Sequence, residues 1–147
     1  MKDKRLMLLN RVIFVLSLIG VAIAIYVTQS FLRHSPIVCV NTGCELVRKS
    51  AASYIFGIPV PMFGLAGYSM LAILAFLRTT KLKSLNSKLL LNLMLAIATF
   101  GVLFVSWFTY TELFVIKAVC TWCAISAVNM IVIFIMVIKS YTSYSKA

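Results

Sequence analysis

Four stretches of this chain carry no charged side chain over residues 12–32, 50–77, 89–111 and 118–138. A helix needs roughly 20 residues to cross the hydrocarbon core of a bilayer, so each stretch is long enough to span. A backbone in lipid must satisfy its own hydrogen bonds, which leaves helices as the natural reading. The expected fold class is therefore an all-α membrane protein, a four-transmembrane-helix bundle. Its helices are placed at about 12–32, 58–77, 89–109 and 113–138, in a single transmembrane domain over 1–147. The fourth helix is read as starting before its charge-free run, near Leu113, with Lys117 tolerated at the interface. Hydrophobic residues make up 63% of the chain, and no soluble domain is expected.

The N-terminal segment MKDKRLMLLNR, followed by an apolar run, has the look of a secretory signal, with Ala22 and Ala24 as small cleavage-site residues. A signal's apolar region spans about 7–15 residues. Here it continues through Tyr26 and Val27 to Phe31 with no polar cleavage region, so the first helix is expected to be retained.

The net charge of +11 is distributed unevenly. Lys2, Lys4, Arg5 and Arg11 precede the first helix, Arg78, Lys81, Lys83 and Lys88 surround the second connection, and Lys139 and Lys146 follow the last span. These segments share one face of a four-span protein and hold ten of the fourteen basic residues. The other face holds Arg33, Arg48, Lys49 and Lys117, together with Glu45 and Glu112. Cytoplasmic loops carry the Lys/Arg excess, so both termini are expected in the cytoplasm of a multi-pass plasma (inner) membrane protein. The basic excess is a topology signal, and no nucleic-acid partner is expected; the surroundings are membrane lipid.

That orientation sends all four cysteines to the outer or periplasmic side, where disulfides form and persist. Cys39 and Cys44 form a C-x4-C pair in the first outward loop, and Cys120 and Cys123 a C-x2-C pair at the outward end of the last helix. Within that loop, residues 44–56 have helical spacing, with Val47, Ala51 and Tyr54 on one face and Glu45 and Lys49 as an i,i+4 pair. This reads as a short lateral amphipathic helix across the mouth of the bundle, ended by Gly57, Pro59 and Pro61. Tyr26, Phe31, Tyr54, Trp107, Phe108, Tyr110 and Trp122 cluster near the outer boundary, as an interfacial belt does. Trp122, between the cysteines of the second pair, is the best candidate to line a pocket for a flat aromatic ligand.

Two outward pairs admit three readings: static disulfides that brace loops, a four-cysteine metal site, or a relay passing electrons by thiol–disulfide exchange. The first two would make the chain a non-enzymatic membrane scaffold. The relay is favoured by the setting of the second pair. A C-x2-C at the start of a helix has its thiolate supported by the helix dipole, and Lys117, three residues before Cys120 and so on the same helix face, either adds to that support or snorkels to the interface. Such a pair at the lipid boundary needs a lipid-soluble electron acceptor. With one histidine there is no haem-ligand pair, and no nucleotide-binding loop exists; a membrane quinone, ubiquinone or menaquinone, meets the need.

The order of elements is C-x4-C, Ser50 six residues later, G-x-P-x-P-x-F-G over 57–64, then C-x2-C in the last helix. It resembles the vitamin K epoxide reductase (VKOR) family, and in particular its bacterial disulfide-forming homologues. The matching residues are Cys39, Cys44, Ser50, Gly57, Pro59, Pro61, Phe63, Gly64, Cys120 and Cys123. DsbB-type proteins fit less well, because their C-x2-C pair belongs to the first outward loop.

The resemblance implies a quinone-dependent oxidoreductase that reoxidises a DsbA-like, thioredoxin-fold partner. Cys39 would exchange with that partner, Cys44 would pass electrons to Cys120, and Cys123 would face the quinone ring. Ser50 would hydrogen-bond a quinone carbonyl, with Trp122 and Phe63 completing the binding set. The loop spacing is shorter than the family's usual one, and with no fused thioredoxin-like domain in the sequence the partner is expected to be a separate protein. The animal enzymes' tyrosine four residues after the C-x2-C motif is Ala127 here, so epoxide reduction is not carried over. Accessibility labelling in intact cells is expected to reach Cys39 from outside and to miss Lys83; external labelling of Lys83 would overturn the orientation.

Overall fold

The computed structural model describes residues 2–33, 49, 54–80, 87–117 and 121–145. Four long helices account for nearly all of these: α1 (Lys2–Arg33), α2 (Val60–Thr80), α3 (Ser87–Thr111) and α4 (Thr121–Ser145). Four spans are long and apolar enough to cross a membrane, Met7–Ser30, Val60–Thr79, Lys88–Ile116 and Thr121–Ser143, the third running from α3 into the turn that follows it. The helices overrun their charge-free stretches at several ends. Absence of charge measures the thickness of the lipid, whereas helical hydrogen bonding continues into headgroups and water. Lys4 and Arg5 lie on such an exposed extension of α1.

The join between α3 and α4 differs from the sequence expectation. Residues 113–116 belong to a π-helical turn (Glu112–Ile116) that prolongs α3, and α4 is described over Thr121–Ser145. Lys117 adopts left-handed angles (φ 61°, ψ 31°), and its N–H donates to the Glu112 carbonyl, closing the wider π-type ring. A single left-handed residue ends a helix, because the next peptide no longer points along the axis.

The segment before α2 also departs from expectation. Tyr54–Ile55 (β1) pairs antiparallel with Ile58–Pro59 (β2), Tyr54 opposite Pro59 and Ile55 opposite Ile58. Two-residue hairpin corners of this kind require positive φ at both positions, and Phe56 (φ 52°) and Gly57 (φ 80°) supply it. Gly57 adopts that angle without a Cβ clash. The end of the stretch read as a lateral helix is thus extended; the rest of it, 44–53, lies outside the described residues apart from the exposed Lys49. Pro61 sits in the first turn of α2, where a missing N–H costs no helical bond.

The helices form a closed ring in chain order, α1 packing on α2 and α4, and α3 on α2 and α4. The central core joins Ile13, Tyr68, Leu71, Ala75, Met94, Ala98, Met130, Ile133 and Val137. Large apolar side chains such as Leu8, Val15, Ile73, Leu103 and Val128 face outward, as lipid-facing positions do. With lipid as apolar as the core, interhelical polar ties and close backbone approach hold the ring. Asn10 Nδ2 donates to the Ala75 carbonyl at 2.8 Å, and Asn129 Nδ2 to the Leu16 carbonyl at 3.1 Å. Arg78 Nη1 donates to Asn10 Oδ1, which ties the start of α1 to the end of α2.

The tightest approach is between α1 and α2, where the Tyr68 ring occupies the space a side chain at Gly20 would need. A Cβ at Gly64, by contrast, meets nothing within 4 Å. Overpacking of this kind costs about 1–3 kcal/mol. Gly20→Ala is expected to lower the thermal midpoint of the detergent-solubilised protein by several degrees, with Gly64→Ala unchanged; equal midpoints would show that the α1–α2 contact yields freely.

Candidate functional site

Three helix ends and the hairpin converge around the start of α4. Val27, Val60 and Phe108 are buried there, and Tyr54, Phe104, Ile116, Trp122 and Cys123 pack against them. Chain order dictates this convergence. In an antiparallel ring the last turns of α1 and α3 meet the first turns of α2 and α4, and the hairpin delivers the chain into α2. Cys123 falls in the first turn of α4, at the positive end of the helix dipole, where backbone N–H groups lack intrahelical partners.

Cys123 borders a cavity of about 510 Å³ between the four helices. Trp122 and Phe63 also line it, so all the described members of the expected binding set meet at one space. The Trp122 ring rests against Tyr26 with centroids 5.2 Å apart, tilted 52°. On the other side Phe63 and Phe104 meet at 5.9 Å. Pro61 and Gly64 belong to the wall as well. The G-x-P-x-P-x-F-G motif therefore has a structural account: Gly57 turns the hairpin, Pro59 ends its second strand, Pro61 sits in the first turn of α2, and Phe63 and Gly64 line the cavity. Phe63, Met70 and Phe100 line the cavity while remaining 38%, 52% and 67% exposed on the outer surface of α2 and α3.

Cys39, Cys44, Ser50 and Cys120 lie outside the described residues. Lys117 is exposed and left-handed, so the continuous helix that would set it one turn from Cys120 is interrupted at Lys117 itself. Of the aromatic belt, Trp122 and Phe108 line the cavity, whereas Trp107 and Tyr110 face outward at 48% and 60% exposure.

Three residues were missed by the sequence reading. Tyr68 and Ser126 line the cavity on its inner side, and the Tyr68 hydroxyl donates to the Ser126 carbonyl at 2.8 Å. Ser126 was within reach of inference, since it follows Cys123 by three residues and so shares its helix face. Tyr68 carried no such signal, because its position depends on the gap at Gly20. Glu112, 1% exposed, was read only as an outer-face charge. It stands four residues from Phe108 and four from Ile116 along the chain, two members of the cluster around Cys123. Buried acids within a membrane span mark functional regions.

A sequence model described as the vitamin K epoxide reductase family matches residues 11–138. The chain belongs to that family, and is thereby a membrane thiol oxidoreductase of disulfide and quinone redox chemistry. No curated protein matches it in a comparison of sequences.

The cavity suits the acceptor this family uses. Its volume falls within the range of about 300–1,000 Å³ typical of ligand pockets. Its walls are aliphatic and aromatic, with a thiol at one end and a tyrosine–serine pair further in, a donor set fitted to a flat apolar ring with polar ends. Gly67 also lines the cavity, and a Cβ there meets nothing within 4 Å. Gly67→Leu is expected to preserve the thermal midpoint while abolishing saturable quenching of tryptophan fluorescence by decylubiquinone. Undiminished quenching would mean the ligand binds elsewhere.

Proposed function

We propose that this chain reoxidises a separate DsbA-like, thioredoxin-fold partner at the outer side of the plasma (inner) membrane and delivers the electrons to ubiquinone or menaquinone. One observation carries the reading: Cys123 stands at the wall of an apolar, aromatic-lined cavity inside a membrane-spanning bundle. A thiol placed there is poorly suited to a soluble protein and well suited to a lipid-soluble acceptor.

The orientation is supported by the ends of the bundle. Lys4, Arg5, Arg11, Arg78, Lys88 and Lys139 lie toward the end remote from Cys123, whereas Arg33 and Lys117 lie at its own end. By the positive-inside rule the remote end, with both termini, is cytoplasmic and the cysteines face outward.

The electron path runs through two exchanges. A thiolate of the reduced partner attacks Cys39 in a Cys39–Cys44 disulfide, and the partner's second thiol resolves the mixed disulfide, leaving the partner oxidised and Cys39 and Cys44 reduced. Cys44 then attacks Cys120 in a Cys120–Cys123 disulfide, releasing Cys123 as a thiolate, and Cys39 closes on Cys44 to free Cys120. The outer disulfide is restored and the inner pair holds two electrons and two protons. A quinone in the cavity supplies the two-electron acceptor that returns the inner pair to its disulfide. In this scheme Cys123 faces the ring, Trp122 and Phe63 bound it, and Ser50 donates to a carbonyl at the outer edge.

Purified protein supplied with reduced partner is expected to reduce decylubiquinone stoichiometrically. Cys123→Ser should bring that reduction to background while exchange with the partner continues, and the trapped partner adduct should be joined through Cys39. An adduct through Cys120 would reverse the assigned order. Cysteines whose redox state stays fixed when quinone is depleted would point instead to static bridges in a scaffold.

A further inference from the structure

We infer that Ser126 is a second polar contact for the quinone, one helical turn deeper than Cys123, and that Tyr68 is the positioning residue that turns its hydroxyl into the cavity. The inference rests on the proposed quinone reading and extends it from the outer edge of the ring to the inner one.

Hydroxyls on helices ordinarily donate to the carbonyl four residues back, and several in this bundle do so, although the buried hydroxyls of Thr28 and Ser140 make no hydrogen bond among the described residues. Ser17 donates to Ile13 at 2.8 Å, Thr99 to Leu95 at 2.7 Å, Thr111 to Trp107 at 3.0 Å and Thr142 to Ile138 at 2.8 Å. Ser126 does otherwise. Its Oγ lies 3.1 Å from the Tyr68 hydroxyl, which reaches it from α2 across the cavity's inner end. Tyr68 has one proton and gives it to the Ser126 carbonyl at 2.8 Å. The proton between the two hydroxyls is therefore Ser126's own. A ligand carbonyl can replace the Tyr68 oxygen as its acceptor without breaking the bond Tyr68 makes to the backbone.

The spacing suits a para-quinone. Cys123 and Ser126 are three residues apart on one face of α4, about 4.5 Å along the axis. The two carbonyl oxygens of a 1,4-quinone point in opposite directions across a ring of roughly the same span as one helical turn, about 5 Å. A ring edge-on to Cys123 with its outer carbonyl toward the loop thus turns the other carbonyl toward Ser126. Tyr68 is held in place to do this by its ring, which fills the space over Gly20. Ala127, Met130 and Gly101 also line the cavity and carry no side-chain donor, and the Asn129 amide is engaged behind it with Tyr68 and with the Leu16 carbonyl. On this reading the site favours acceptors with a carbonyl on the inward side.

The test measures binding by the oxidised protein, which has no electrons to give, through quenching of tryptophan fluorescence by decylubiquinone, with the KM for quinone reduction as a second readout. Loss of a neutral hydrogen bond is expected to raise the dissociation constant of Ser126→Ala about 3- to 10-fold. KM should rise by a similar factor, with kcat little changed. Ser126→Thr, which keeps the hydroxyl, should bind within about twofold of the unmodified chain. Tyr68→Phe keeps the ring over Gly20 and lets Ser126 revert to the Trp122 carbonyl, so it should weaken binding comparably. The double variant should be no weaker than Ser126→Ala, a non-additivity that two independent packing defects would not give. Saturable quenching with a dissociation constant unmoved by Ser126→Ala, or additive losses in the double variant, would overturn the inference and leave the quinone reading standing. Failure of the unmodified chain to show saturable quenching would overturn both.

Discussion

The close approach of α1 and α2 at Gly20 determines much of what lies around it. Because position 20 has no side chain, the Tyr68 ring lies flat in the gap and its hydroxyl extends across the bundle to α4. Tyr68 is thus a member of the central core and of the cavity wall at once. Toward one end of the bundle the helices pack shut through Leu71, Ala75, Ile133 and Val137; toward the other they stand apart around Cys123. In lipid, where apolar burial gives little drive to helix association, a steric interlock with a hydrogen bond at its far end is an effective way to set this spacing.

The sequence revealed the fold through one strong signal. Charge-free runs of membrane length are hard to produce by accident, and the split of basic residues between loops supports an alternating arrangement. The structure has the four membrane-length helices expected. Finer features were less legible because they depend on local backbone angles. Nothing in ELFVIK marks Lys117 as the left-handed residue that ends the π turn, and apolar spacing carried the helix straight through it. Likewise Tyr54 fits a helical face on spacing alone, yet Gly57 two residues beyond its strand allowed the hairpin to prevail.

Motif supplied the expected members of the candidate site, whereas the neighbours that depend on packing carried no signal in the sequence. Cys123, Trp122 and Phe63, expected from residue order and the family resemblance, border one cavity. Tyr68 lies in an unremarkable apolar run, and only the missing side chain on a different helix makes its position possible. Glu112 is different: it stands four residues after the buried Phe108 and so continues the buried face of α3 at regular helical spacing, and it was passed over because its charge was weighed only as a topology signal.

Phe63, Met70 and Phe100 belong to the cavity wall and to the outer surface at the same time. Between α2 and α3 the wall is therefore a single layer of side chains with hydrocarbon beyond it. An acceptor reaching Cys123 by this route is drawn from the two-dimensional lipid phase and never passes through water. Its effective concentration is a mole fraction in the leaflet, set by the ratio of quinone to phospholipid. Adding empty lipid at constant total quinone dilutes the substrate although its amount per millilitre is unchanged. Under the proposed function, turnover would be coupled in this way to the composition of the membrane that holds the protein.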